Sequence, residues 1–434
     1  MKVKSLKINS FRGISDLTLE FNTDKPTVII GINGVGKSSI LDCLAILLSW
    51  FVKQIQFDPE SRTTIIRNGD FVRESKLANG KPIKLEDIER KKNKAQINIT
   101  TLLNSQEVDW IVSIDKKKSP PVVSVYLDEL EKITKEIRNQ LETHPELNLP
   151  LTIYYPVNRA VFNTPLEIPD NSFQQIDAYE KALDGVQIGF DSFFRWFRAI
   201  EDLENEERRD NPDYRDKQLE AVRKAISGLI PEFSNLRVRR SPLRMTVNKA
   251  GQEITINQLS DGEKCLLAMI GDLARRLAIA NPSLPDPLQG IGVVLIDEIE
   301  LHLHPLWQRK IVSTLTQTFP NCQFIFTTHS PQVVSNIQPE NIYILESTSE
   351  GIVAKRPESS FGRDSNRILE DLMKVPARPQ EIKDSLSELF KVIAQGNLDE
   401  ARQLSQELAI KIGSSEPELV KAKASIKRKE ILGK

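Results

Sequence analysis

Four short stretches of this chain carry residue types that do phosphate and metal chemistry. "GINGVGKSS", Gly31 to Ser39, has the spacing GxxxxGK[ST]. Its glycines let successive backbone N–H groups curl toward a phosphate, and a helix starting there adds the positive end of its dipole. Asn33, Gly34, Gly36, Lys37, Ser38 and Ser39 are the candidate phosphate contacts, with the Lys37 ammonium between two phosphates and the Ser38 hydroxyl on Mg²⁺. In "VVLIDE" four apolar residues precede Asp297 and Glu298. A buried strand there would deliver Asp297 to the metal's hydration shell and Glu298 to an attacking water. "LSDGEK" puts Ser260 and Gly262 at the head of another predicted helix, a second phosphate-binding device. "FIFTTHSP" ends an apolar run close to His329, where an imidazole can sense a γ-phosphate. The chemistry these residues fit is metal-assisted phosphoryl transfer to water.

The elements that must position them follow from hydrophobic periodicity. "KSLKIN" and "LTLEF" alternate like paired strands, and "PTVII" is a buried strand running into Gly31. "SSILDCLAILLSWFVKQI" is an apolar helix. "AQINITTLL" and "DWIVSID" predict an antiparallel layer between Ile55 and Lys118, and "LDELEKITKEIRNQLE" an exposed helix. "LPLTIYYPV", "VVLI" and "QFIFTT" are continuous apolar runs that fit a parallel sheet covered on both faces. Residues 172–230 look helical, and the aromatics of "FDSFFRWF" read as core rather than as a ligand platform.

After about residue 365 the pattern is all helical. Leu386, Leu389, Phe390 and Ile393 share one face, and Ala401, Leu404 and Leu408 share another after a break at Gly396. A third helix is expected at "SSEPEL", with Ser415 as cap and Glu418 reaching back in a capping box, and it ends in the basic "KAKASIKRKEILGK". The expected fold is α/β: a mixed central sheet with flanking helices, an antiparallel β layer, a helical insertion and a helical tail. The corresponding boundaries are 1–170, 171–245, 246–365 and 366–434.

Composition narrows the classes. With 59 basic and 60 acidic side chains in 434 residues, the chain is no polycation built to coat nucleic acid or an anionic membrane. Cys43, Cys265 and Cys322 lie far apart without CxxC spacing, which argues against disulfides and structural zinc and for a reducing compartment. No apolar leader and no run of 18 apolar residues is found, so a cytoplasmic protein without a membrane partner is expected.

In these motifs, over residues 1–50 and 255–335, the chain resembles the ABC-type ATPases, in the soluble branch with RecF, the SMC proteins and the OLD-like ATPases. The resemblance implies ATP and Mg²⁺ as cofactors. It makes "LSDGEK" the signature motif, whose Ser260, Gly262 and Glu263 would act in trans on ATP held by a second copy. The chain would then dimerise head to tail around two nucleotides, with room for higher oligomers. "SFRGI" resembles the family's N-terminal strand, which puts Arg12 near the phosphates. Where the family has a glutamine on the metal and the attacking water, this chain has Asn158, with Arg159, Gln174 or Gln175 as alternatives. "LHLH", Leu301 to His304, falls on the family's D-loop. For His302 and His304 three readings stay open: nucleotide sensing or a dimer interface, plain packing, and a transition-metal site. The third needs an extended backbone, since residues two apart do not share a helical face.

Two absences choose the branch. No long heptad run separates the phosphate loop from the signature, as SMC-type proteins require, and no EGxxD or DxD pattern follows His329, as in OLD-type nucleases. "FRWFRAIEDLENEERRD", "YRDKQLEAVRKAI", the signature region, "LIDEIELHLHPLWQRKIVSTLTQTFPNCQFIFTTHSPQVVSN" and "SEPELVKAKASIKRKEILGK" resemble the stand-alone ATPases of Septu-type and retron-associated anti-phage systems. That resemblance implies a slow ATPase switch controlling an HNH-type nuclease. It also implies, in retron versions, a reverse transcriptase with its RNA–DNA product or target DNA or RNA. The alternative is a RecF-like DNA-binding ATPase of repair.

Overall fold

The computed structural model describes residues 1–56, 65–67, 70–72, 81, 83–89, 92–117, 122–157, 173–185 and 190–432. It divides into two compact units, Met1–Arg363 and Asp364–Lys434.

The first unit opens with a hairpin, β1 (Lys2–Phe11) and β2 (Ile14–Glu20), followed by β3 (Thr27–Gly31) and α1 (Lys37–Gln56). A two-stranded hairpin, β4 (Ile65–Arg67) with β5 (Asp70–Val72), precedes β6 (Lys94–Leu103), β7 (Gln106–Asp115) and β8 (Val122–Tyr126). Strands β2-β1-β6-β7-β8 form the expected antiparallel layer. Period-two burial is clearest on β6, where Ala95, Ile97, Ile99, Thr101 and Leu103 face inward. Trp110 of β7 donates its indole N–H to Leu47 O on α1 at 2.9 Å, which ties this layer to the helix. By length and composition α1 could cross a membrane, but most of it is buried inside this unit.

Helix α2 (Asp128–Thr143) leads to β9 (Leu151–Tyr155), and α3 (Phe190–Asp210) and α4 (Lys217–Leu229) to a three-stranded meander, β10 (Phe233–Arg240), β11 (Leu243–Lys249) and β12 (Gln252–Thr255). Phe190, Phe193, Phe194, Trp196 and Phe197 of α3 are all buried, so they are core. Gly271 lets α3 approach closely, because a Cβ there would lie 2.9 Å from the Phe193 ring.

Then come α5 (Asp261–Ala280), β13 (Gly292–Ile296), α6 (Pro305–Thr318), β14 (Cys322–Thr327), the short α7 (Pro331–Val334), β15 (Ile342–Thr348) and β16 (Gly351–Lys355). The central sheet runs β16-β15-β3-β14-β13-β9, parallel except for β16. Every residue of β13 and β14 is buried, as strands covered on both faces require. In register, Ile29 lies opposite Thr327, and Ile296 opposite both Phe326 and Tyr155. The carboxyl ends of β3, β14, β13 and β9 are therefore level. At the other end Gln323 of β14 accepts from Val3 N–H at 2.6 Å and donates to Val3 O at 2.8 Å, stitching the two large sheets together.

The second unit is helical: α8 (Ser365–Arg367) and a π turn (Ile368–Leu372), then α9 (Gln380–Gln395), α10 (Leu398–Ile412) and α11 (Pro417–Leu432). Leu386, Leu389, Val392, Ile393, Ala401, Leu408, Leu419, Ala422 and Ile426 form its core. Gly396 ends α9 at φ 87°, a left-handed conformation that favours glycine. The capping box expected from Ser415 and Glu418 is absent. The helix starts at Pro417, and Arg378 pairs with Glu418 at 3.1 Å and with Glu416 at 3.2 Å.

Candidate functional site

The phosphate loop joins the carboxyl end of β3 to the head of α1. Gly31 is needed for close approach, since a Cβ there would meet Leu345 O at 2.7 Å. Gly36 is needed for conformation, at φ 101°. Asn33, Gly34 and Ser38 are exposed, whereas Lys37 is buried. Its ammonium donates to Gly31 O at 3.0 Å and Ile32 O at 3.1 Å, folding over the loop. Burial lowers the Lys37 pKa, while the fields of Asp297, Glu298 and Glu300 pull the other way. The acidic residues after β13 thus act through their field on the one ammonium of the loop.

Asp297 and Glu298 follow β13 directly. Asp297 is buried, its N–H donates to Tyr155 O at 2.9 Å, and its carboxylate accepts from the Thr327 hydroxyl. Glu298 has φ 47°, and its N–H donates to Thr327 Oγ1 at 2.7 Å. His329 lies two residues past β14, on a segment tied down by Glu300. Glu300 Oε2 accepts from the Thr328 hydroxyl at 2.7 Å, and Oε1 accepts from the His329 N–H. Neither Thr327 nor Glu300 was singled out in the sequence. A threonine ending a strand reads as a β-branched strand residue, and a third acid after "DE" reads as solvated surface.

Other expected site residues are used differently. Arg12, at φ 51°, donates from Nε to Asp87 at 2.9 Å and from Nη1 to Asp42 on α1. Its guanidinium is held by two carboxylates, one of them on the phosphate-loop helix. Asn158 and Arg159 lie outside the described residues. Gln175 donates its amide to Ala280 O at 2.8 Å and to Leu147 O, near the amino end of β9, so it sits at the wrong edge of the sheet to reach the metal. Gln174 next to it is exposed. His304 is exposed and caps α6, its Nδ1 accepting from Leu306 N–H at 3.2 Å. His302 is exposed at φ 62° and presents its backbone carbonyl to the signature. A Cβ at Gly262 would lie 2.3 Å from that oxygen. Within one chain the signature glycine is therefore where the His302 backbone docks.

Ser260 and Glu263 form a reciprocal capping box on α5. Ser260 N–H and hydroxyl donate to Glu263 Oε2 at 3.0 and 2.8 Å, and Ser260 Oγ accepts from Glu263 N–H at 3.4 Å. Glu263 Oε1 also pairs with Lys249 at 2.6 Å. Burial tends to raise the Glu263 pKa, but Lys249 and Ser260 outweigh it and hold the carboxyl below its ordinary range. Glu263, expected to reach a nucleotide in trans, has both oxygens engaged inside its own chain.

Farther along α5, Asp272 pairs with Arg275 at 2.9 Å and Arg276 at 2.8 Å and accepts from the Tyr155 hydroxyl at 3.1 Å, all buried. Arg276 donates on to Ala178 O and Glu180 O at 2.7 and 2.9 Å. This cluster registers α5 against β9 and, through Tyr155 O, against Asp297.

The chain matches the family model described as "AAA domain, putative AbiEii toxin, Type IV TA system" over residues 27–335. It is similar to the Retron Ec83 probable ATPase of Escherichia coli, with 30% identity covering 99% of this chain and 87% of that one. Similarity extends to the Retron Vc95 probable ATPase of Vibrio cholerae, at 28% identity over 85% and 78% of the two chains. The Septu protein PtuA of Bacillus thuringiensis is 23% identical over 96% of this chain and 95% of its own. Among solved structures, an Smc head bound to the C-winged helix domain of ScpA aligns over 82% of this chain and 98% of that one, at 16% identity and a TM-score of 0.45.

Proposed function

Since this chain belongs to the AAA-domain family whose model it matches, and is an ATPase, we propose that it is the ATP-dependent switch of an anti-phage defence complex. It works as a head-to-tail dimer around two ATP, and the state of that dimer controls a partner nuclease of HNH type. In retron-like settings a reverse transcriptase with its RNA–DNA product joins the complex. The observation that supports the dimer is a second helix N-terminus, capped by Ser260 at the head of α5, on an element other than the phosphate-loop helix α1.

In this reading the loop amides from Asn33 to Ser39 and Lys37 hold the phosphates, and Ser38 and Asp297 hold Mg²⁺. Their fit rests on the left-handed glycine backbone of the loop and on the field of Asp297, Glu298 and Glu300 at Lys37. Bound Mg²⁺ supplies charge neutralisation on the phosphate oxygens. Glu298 takes the proton of the attacking water, and His329 reads the terminal phosphate. Residues 366–434 serve as the partner-docking region, residues 171–245 as an insertion that holds α3, α4 and strand β10, and the complex acts in the cytoplasm.

The test is affinity isolation of the tagged protein, expressed at native level from its own locus, with and without ATP, followed by mass spectrometry. A nuclease recovered in stoichiometric amount, alone or with a reverse transcriptase, is the expected result. Recovery with no partner, or with duplex DNA only when ATP is present, overturns it in favour of a RecF-like role in repair.

A further inference from the structure

Asp297 and Glu298 are aimed by a residue outside both of their motifs. Thr327 closes β14, is fully buried, and lies beside the end of β13 in register. A hydroxyl has one hydrogen to give and lone pairs to receive with. Thr327 donates to the Asp297 carboxylate and accepts from Glu298 N–H at 2.7 Å, so its two directions are both set by the acidic pair. Its backbone carbonyl then accepts from Ile299 N–H at 3.1 Å. Three consecutive residues take their orientation from this one position. The contact to Glu298 matters most, because at φ 47° that residue is in the left-handed region, which side chains other than glycine adopt only when held. Glu300 makes the reciprocal grip, through the Thr328 hydroxyl and the His329 N–H.

We infer that Thr327 is a positioning residue for ATP hydrolysis: its hydroxyl sets Asp297 toward the metal and Glu298 toward the attacking water. Glu300 holds the His329 segment in the matching place. The inference rests on the assignment of Asp297 and Glu298 to the hydrolytic site.

Valine has nearly the shape of threonine without its hydroxyl, so Thr327→Val removes the two contacts and little else. In the full-length protein we expect kcat for ATP to fall about 10- to 100-fold, the usual effect of losing a group that orients a metal ligand. KM for ATP should barely change, more Mg²⁺ should be needed for half-maximal rate, and Thr327→Ser should recover most of the activity. Should the valine variant not fold, Thr327→Ala gives the same comparison with serine. A wild-type rate in Thr327→Val, with Glu298→Gln inactive, overturns the inference and spares the site. Equal losses of kcat and thermal stability in the valine and serine variants also overturn it, making the residue merely structural. Full hydrolysis by Glu298→Gln removes the assignment of the base, and the inference with it.

Discussion

The carboxyl edge of the central sheet and the head of α5 both bear residues suited to phosphate, and they are built in opposite ways. At the sheet edge the chemistry depends on main chain: positive-φ glycines, level strand ends, and a lysine folded over its own loop. At the head of α5 the polar side chains are already consumed. Ser260 and Glu263 satisfy each other, Lys249 takes the remaining oxygen of Glu263, and Gly262 receives the His302 carbonyl. The sheet edge is thus shaped to receive a ligand. At the α5 end Ser260 and Glu263 are occupied within the chain, and what remains on offer is the helix N-terminus with the exposed Asp261. A second copy of the chain closing on the first would bring one of each kind together.

The contrast breaks first at Lys37. Lys37→Ala should weaken ATP binding by about 10- to 100-fold or more, from ~1.5–3 kcal/mol per hydrogen bond to a charged group, whereas Ser260→Arg should leave binding by the isolated chain intact. Titration calorimetry distinguishes them, and equal losses in both variants would erase the difference between the two regions. Gly262→Ala sharpens the picture at intermediate size. Its methyl would drive into the His302 carbonyl, lowering stability by about 1–3 kcal/mol as overpacking does, read as a shifted denaturation midpoint. An unchanged midpoint would mean that the docking carries no weight. The smallest effect belongs to His304→Ala, which removes a helix cap and costs about 0.5 kcal/mol with hydrolysis unaltered. A large fall in hydrolysis there would instead give His304 a nucleotide-sensing role beside its cap.

Much of this was legible in order along the chain. The spacing of Gly31, Gly36 and Lys37 places a loop between a strand and a helix, and the four apolar residues before Asp297 form β13. Helical periodicity also located the tail's core on Leu386, Leu389, Ala401 and Leu408. Less legible are residues whose types suit two tasks. His304 and Glu263 have the chemistry of nucleotide contacts and also that of caps, and the choice depends on where a helix starts within one residue. Ser415 and Glu418 failed for the same reason, because Pro417 begins α11 and Arg378 competes for the carboxylate. Gln175 was a candidate by type alone, and its place at the amino end of β9 excludes it.

Strands β10 and β11 begin inside 171–245, where the pattern predicts helix. What the chain specifies locally is where the glycine loop lies, the buried strands β3, β13 and β14 and the chemistry of each candidate group. These follow from steric limits and periodicity over a few residues. Which groups face one another depends on the assembled fold. Thr327 meets Asp297 across 30 positions of chain, Arg12 meets Asp42 across 30 and Asp87 across 75, and Tyr155 meets Asp272 across 117. Such contacts are set by strand order and register, which put the ends of β3, β14, β13 and β9 on one level. No local pattern specifies that order, because each buried strand is satisfied by any apolar neighbour until the whole sheet is assembled.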